Sequence, residues 1–398
     1  MEVNVVNQGE AISKLSTLSI DKGIIELPLV ESLGYILAKD IIAPIDVPCF
    51  DNSAMDGYAV CWENEIPEKF ILCGMIAAGD HWTTPVKHGE AIRIFTGASV
   101  PVGCVSVIQQ EWALETDEWV TFTQPIKANL NIRKQGSQTQ INQTVVSAGQ
   151  KITSGIIGLL ASLGITEVSV INKVIVSIII TGNELVEIGQ ELSAATIYNS
   201  NGPMLQALFA EKNINALPYS RCIDDPKILK SSILSAMKEA NVIVLTGGIS
   251  VGDFDFVKTV LEEIGVREIF YKVKQKPGKP LYIGTLNNQV FIALPGNPAS
   301  VNSCFHAWVN PLIQQINGSI TVSEFYNQLP LGELANSYQK KIGLTHFVKG
   351  NVNHGKIKIL TGQESFNLST LNAANALVII PENWENNTSG TSLNYIPF

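Results

Sequence analysis

Charge is scarce in this chain: only 16% of the 398 residues are Asp, Glu, Lys or Arg, and the acids prevail to a formal net charge of −9. A basic face of the kind that nucleic acid or an anionic membrane requires is therefore not expected. The shortage of cations also means that a bound anion must be met by local lysines, a helix end or a metal ion. The six cysteines, Cys49, Cys61, Cys73, Cys104, Cys222 and Cys304, form no CxxC pair. That excludes a zinc ribbon or a thioredoxin-type motif and fits reduced thiols of a cytosolic protein. The five histidines show no HExxH spacing. No apolar run approaches the ~18 residues of a membrane helix. The start, MEVNVVNQGE, lacks the basic and apolar regions of a signal peptide. These absences point to the cytoplasm, with no nucleic-acid and no membrane partner.

What is present is ordinary globular material, 45% hydrophobic, at a length that suggests about two to four domains. Its organising stretch is VIVLTGGISVGDFDF, residues 242–256. Four apolar residues read as a buried strand, a Thr-Gly-Gly turn follows, and Val257, Val260, Leu261 and Ile264 continue at helical spacing. Glycines allow positive φ and close approach to a ligand, and helix N-termini attract anions. The stretch is neither G-x-G-x-x-G nor a P-loop, so alone it reads as an ordinary βα turn.

In chain order, residues 1–22 read as a helix, and 27–42 as a short amphipathic helix running into a strand. Pro44 and Pro48 break that pattern before DNSAMDGYAV at 51–60. From there to about 142 short strands and turns read as a compact β domain. Residues 153–165 read as a helix with Thr153 or Ser154 as N-cap and Gly164 as stop. Strands and helices then alternate: VIVSIII at 174–180, helices near 202–212 and after Pro226, a strand near 214–220, a strand near 267–273, and a last helix through about 316. This is the pattern of a doubly wound α/β domain. After about 322, short strands return and predict a small closing β domain.

Three apolar runs, ending at Ile180, Leu245 and Leu294, each lead into a glycine turn. Their carboxyl ends would lie on one sheet edge, where ligands of such folds bind. That edge would gather Glu184, Ser250, Asp255, Lys276, Lys279 and Asn297. A phosphorylated ligand beside these carboxylates implies a bridging hard cation such as Mg²⁺. The competing reading is surface ion pairs on loops, which three convergent turns disfavour.

Together, DNSAMDGYAV, RIFTGASVPVGC, NIRKQG, TGNEL, TGGISVGDFDF, KPGKP and LPGNPAS resemble, in content and order, the molybdopterin molybdenumtransferase family, to which the C-terminal part of gephyrin is related. The likeness is strong over about 1–320 and looser beyond. It implies an elongated homodimer of four-domain subunits. These would be an α/β molybdopterin-binding domain (1–22 plus 174–322), an extended linking domain (23–42 plus 143–173), an inserted β domain (43–142) and a C-terminal β-barrel-like domain (323–398). It also implies a transferase of molybdenum cofactor biosynthesis. The enzyme would insert molybdate into adenylylated molybdopterin with release of AMP, would depend on Mg²⁺, and would follow a molybdopterin adenylyltransferase.

Carried over by position, the family's active-site acids fall on Asp56, Glu184, Asp224 and Asp255, and its threonine on Thr96. Its lysines fall on Lys272, Lys276 and Lys279, and its loop prolines on Pro295 and Pro298. Asp224 and Asp255 would hold the metal, while Ser250, Asn297 and Ser365 would contact substrate. Asp56 and Thr96 would come from the β domain of the partner subunit. Departures are Gly136-Ser137-Gln138 where the family has Gly-Glu-Asp, Leu344 where it has an arginine, and Glu364-Ser365 where it has Gly-Ser. The resemblance makes the arginine and serine molybdate contacts, so Leu344 removes an oxyanion partner, with His346 or Lys349 as possible substitutes. An alternative follows: a catalytically weakened, molybdopterin-binding paralogue or a scaffold.

Overall fold

The computed structural model describes residues 5–249 and 256–398. It forms two compact units, one of residues 1–25 with 171–398, the other of residues 26–170.

Helix α1, Gln8–Ser16, opens the first unit. Asn7 and Glu10 close a reciprocal capping box at its start, and Ala11 and Leu15 are its buried side.

The second unit carries a six-stranded sheet: β1 Gly57–Val60, β2 Phe70–Ile76, β3 Glu90–Ile94, β4 Ser106–Gln109, β5 Ala113–Glu115 and β6 Trp119–Phe122, ordered β4-β1-β3-β2-β6-β5. Ala59, Ile92, Ile94 and Val107 fill one face, and Tyr58, Ala91 and Ile108 the other. Outside this sheet, the strand Ile24–Pro28 and the strand Ile36–Leu37 both pair with Glu167–Ile171, and Thr144–Val146 pairs with Ile41–Ile42. Helix α2, Ser154–Ser162, starts at Thr153, whose side chain accepts from the Ile156 N–H.

The helix expected within 27–42 does not form. Only a single 3₁₀ turn, Leu29–Glu31, appears there. The backbone of this stretch bonds across the chain instead: the Gly34 N–H donates to Ile152 and the Leu37 N–H to Gln150. Gly34 has φ +78°, which ends the helical path.

The first unit continues with a seven-stranded sheet. Its strands are β7 Ile175–Thr181, β8 Asn215–Ala216, β9 Ser220–Cys222, β10 Val242–Thr246, β11 Arg267–Tyr271, β13 Tyr282–Leu286 and β14 Gln289–Leu294; β12, Gln275–Lys276, stands apart. Strands β7, β10 and β14 run parallel, while β13 and β11 complete the edge antiparallel. The single strand expected at 214–220 is split into β8 and β9, which pair with the two ends of β7.

Both faces of this sheet are covered. Val176, Ile178, Ile180, Val244 and Ile292 point into one core, with α1, α3 (Asn201–Glu211), α6 (Pro298–Cys304) and α7 (Asn310–Ile316). Ile179, Ile243, Leu245, Phe291 and Ala293 point into the other, with α4 (Pro226–Ala236) and α5 (Val257–Ile264). Continuous β-branched runs are what a strand buried on both sides requires. A π-helical turn, Phe305–Val309, joins α6 to α7.

After α8, Val322–Asn327, five strands close into a barrel: β15 Leu331–Leu334, β16 Thr345–Asn353, β17 Lys356–Ile359, β18 Ala376–Ile380 and β19 Ser392–Pro397. Their order is β16-β17-β15-β19-β18, and β18 pairs back onto β16. The barrel is fixed to the α/β sheet by β12, which pairs with β16, and by Phe347, whose ring lies 6.2 Å from that of Trp308.

Candidate active site

At the carboxyl ends of β7, β10 and β14 the chain turns three times within a few residues. Gly247 follows β10 with φ +95°, and a Cβ there would sit 2.1 Å from the Thr181 carbonyl oxygen. The turn therefore requires glycine, and it brings two strand ends into contact. Asn201, at the start of α3, ties the turns together: its Nδ2 donates to Thr246 Oγ1 at 3.1 Å and to the Gly296 carbonyl at 2.8 Å. Thr246 Oγ1 in turn donates to the Pro295 carbonyl at 2.9 Å.

These turns and the barrel enclose a cleft of roughly 820 Å³, a size suited to a small-molecule ligand. Of the residues singled out from the sequence, Glu184, Asp224, Lys276, Lys279, Pro295, Asn297, Pro298 and Ser365 line it, and Leu344 faces the same space. Asp224 is held by the Thr181 hydroxyl, which donates to Oδ1, and by the Asn183 N–H, which donates to Oδ2 at 3.1 Å. Asn183 Oδ1 accepts the Asp224 N–H at 3.0 Å, closing the pair. Lys276 and Lys279 flank Gly278, whose positive φ of +79° carries the loop over the Cys304 thiol. The Gly278 carbonyl accepts from Gln275 Nε2 at 2.9 Å, and the Lys279 carbonyl from the Val273 N–H at 3.0 Å. Both acceptors are thereby turned inward, and the lysines are the loop's charged groups toward the cleft.

Other expected residues lie elsewhere. Lys272 does not line this cleft; its ammonium stands 4.7 Å over the Tyr271 ring. Asp56 and Thr96 belong to the other unit. There the Thr96 N–H and hydroxyl donate to Asp56 Oδ1 at 2.8 and 2.7 Å, and these bonds hold the Asp56 carboxyl below the usual range. Ser250 and Asp255 lie outside the described residues.

Among the described residues, the barrel loops beyond β12 bring no cation to the cleft lining. His346 is buried beside Tyr338, its Nδ1 3.1 Å from the phenol oxygen. Burial first, then Lys340 and Lys276, push its pKa down to about 4, so it is neutral near pH 7. Lys349 is 3% exposed and donates to the Asn367 carbonyl at 2.9 Å. Lys340 donates to the carbonyls of Leu344 at 2.9 Å and Glu382 at 3.0 Å, which anchors the turn that carries Leu344. Neither His346 nor Lys349 lines the cleft in place of an arginine.

Oxygen donors of the kind Mg²⁺ takes are present in Glu184 and Asp224. Among the described residues no group of three His, Cys, Asp or Glu side chains is placed to hold a metal. The sequence reading missed Asn201, Ser300, Gln363 and Phe366, all in the lining. Asn201 stands in an Asn-Ser-Asn cluster, 199–201, that reads as no more than a helix cap.

Three family models match consecutive parts of the chain: the MoeA N-terminal region (domain I and II) over 6–164, a "probable molybdopterin binding domain" over 177–315, and the MoeA C-terminal region (domain IV) over 332–398. A molybdopterin molybdenumtransferase of Haemophilus influenzae is 34% identical over 381 residues, covering 94% of this chain and 93% of that protein. The chain belongs to the molybdopterin molybdenumtransferase family. A member from Staphylococcus epidermidis is 31% identical over 384 residues, 94% of this chain and 90% of its own. The solved structure of a molybdopterin biosynthesis MoeA protein from Pyrococcus horikosii superposes with a TM-score of 0.83, at 28% identity and 99% coverage of both chains. The family's molybdopterin-binding match spans β7 to α7, the part whose glycine turns form the cleft floor.

Proposed function

We propose that this chain inserts molybdate into adenylylated molybdopterin and releases AMP, in a Mg²⁺-dependent step in the cytoplasm that follows a molybdopterin adenylyltransferase. The observation that carries the reading is one cleft lined by Glu184, Asp224, Lys276 and Lys279 at the carboxyl edge of a parallel sheet, in a member of this family. Lys276 and Lys279 hold phosphate and molybdate oxygens as point charges. Asp224, oriented by Thr181 and Asn183, and Asp255 would hold Mg²⁺, which when bound neutralises charge on the leaving AMP. Ser250, Asn297 and Ser365 contact the substrate, and Pro295 and Pro298 shape the loop. Lys272 acts from outside the cleft lining. Asp56, ionised at neutral pH, and Thr96 act from the partner subunit of a homodimer whose chains have the four-domain division given above.

The test is a purified assay with adenylylated molybdopterin, Mg²⁺ and molybdate, reading AMP and metal-loaded cofactor. Substrate-dependent AMP release supports the proposal. Tight binding without release favours the second reading, a catalytically weakened molybdopterin-binding paralogue or scaffold. Leu344 in the cleft wall is the observation behind that reading, and the lost carboxylate at Gln138, in the other unit, is its second motive.

A further inference from the structure

We propose that Phe366 is a stacking platform for the fused nitrogen heterocycle of the ligand whose phosphate the cleft lysines hold, and that Leu344 extends this apolar lip. This rests on the reading of the cleft as a site for a phosphorylated pterin nucleotide. Phe366 lines the cleft and is 71% exposed. Among the described residues no ring or cation packs on it. An exposed phenyl ring on a loose loop would mean little, but this backbone is fixed on both sides. Before it, the Ser365 carbonyl accepts the Ala299 N–H at 3.1 Å, and Ser365 Oγ accepts from Asn297 Nδ2 at 3.1 Å. After it, the Asn367 carbonyl accepts from Lys349 Nζ at 2.9 Å, and Asn367 Oδ1 accepts the Ser369 N–H at 3.0 Å.

Other apolar side chains share the lining. Leu344 is held by its carbonyl bond to Lys340. Ile197 is 56% exposed, and Tyr198 43% exposed with its hydroxyl donating to the Gln190 carbonyl at 2.9 Å. The cleft lining thus holds both cations, Lys276 and Lys279, and apolar and aromatic side chains. That pairing suits a planar heterocycle joined to phosphate. A lipid or an aliphatic acid would have no use for a rigid ring face, and a bare oxyanion would have no use for the lip. The heterocycle is either adenine or pterin; stacking is available to both because every such ring has a π face.

The experiment measures binding of two probe pairs to the full chain: AMP against ribose 5-phosphate, and 6-hydroxymethylpterin phosphate against inorganic phosphate. Phe366→Ala should weaken the ring-bearing member of one pair by about tenfold, the order of a lost aromatic–base stack, and leave ring-free probes unchanged. Phe366→Tyr should restore it. The pair that responds identifies the ring. Because Phe366 is exposed, Phe366→Ala should melt where the native protein does. If ring-bearing and ring-free probes weaken together, if neither ring-bearing probe weakens, or if the native protein binds none of the four, the proposal is overturned. Turnover with unmoved probe affinities would sink the lip alone. The expected probe response in a protein that releases no AMP would sink the transferase reading alone.

Discussion

The wall of the cleft built on the α/β sheet edge and on the β12 loop that links it to the barrel carries Glu184, Asp224, Lys276 and Lys279, whereas the wall supplied by the barrel loops carries Leu344, Gln363, Ser365 and Phe366. Both belong to one compact unit, and they are made by different means. The first is set by strand ends and glycine turns, which place side chains through backbone geometry that few substitutions permit. The second is set by buried side chains: Lys340 and Lys349 spend their ammonium groups on backbone carbonyls, and Gln363 bonds to the Lys349 and Leu360 carbonyls. The barrel wall therefore holds shape, while the sheet wall holds charge.

Removing charge from the sheet wall should have the largest effect. Asp224→Asn retains an oxygen for the Thr181 hydroxyl but loses the negative charge, and AMP release should fall by a hundredfold or more, roughly the several kcal/mol of metal-linked charge stabilisation. Single-turnover rates would show it, and a native rate would remove Asp224 from the site. Lys276→Met and Lys279→Met should each weaken adenylylated molybdopterin by about ten- to a hundredfold, since a charge-assisted hydrogen bond is worth about 1.5–3 kcal/mol. Direct titration decides between this and a merely structural loop.

Adding charge to the barrel wall is the converse experiment. Leu344→Arg should lower the molybdate concentration needed for half-maximal insertion by about tenfold, with adenylylated molybdopterin affinity little changed. If the native protein already saturates at micromolar molybdate (a scale set only by the order of such affinities) and the variant matches it, another group already meets the oxyanion.

The smallest expected effect concerns His346. Its folded-state pKa of about 4 lies below the ordinary 6.5, so the unfolded chain binds the proton more readily. Stability is then full above about pH 6.5 and falls as pH drops toward 4. His346→Gln should remove on the order of 1 kcal/mol of the loss between about pH 7 and 5. Urea denaturation at the two pH values measures it, and parallel curves for both proteins would contradict the burial argument.

The sheet wall was largely legible in the sequence because its signals are local. A β-branched run followed by Thr-Gly can be read without knowing what packs on it, and the three runs ending at Ile180, Leu245 and Leu294 do supply the parallel strands of the cleft. The barrel wall was not. Phe366 sits in QESFNLS, which has no strand or helix period, and nothing local says that Asn297 and Lys349 will pin it. The stretch 27–42 shows the same limit in the other direction. Its apolar spacing suits a helix, but the bonds of Gly34 and Leu37 to residues 152 and 150 are long-range, and they override local propensity.

By itself the sequence determined the α/β alternation, the glycine turns, the β segments to either side and the family, because these rest on residue types that tolerate few backbone alternatives. Only the tertiary structure decided which ionisable groups reach the cleft. Lys276 and Lys279 do so from a loop whose Gly278 and Lys279 carbonyls accept from Gln275 and Val273. Lys340, Lys349 and His346 do not, because they lie buried within the protein and bond to groups there. A lysine's charge is written in its codon, but whether it meets a ligand or a backbone carbonyl depends on neighbours far along the chain.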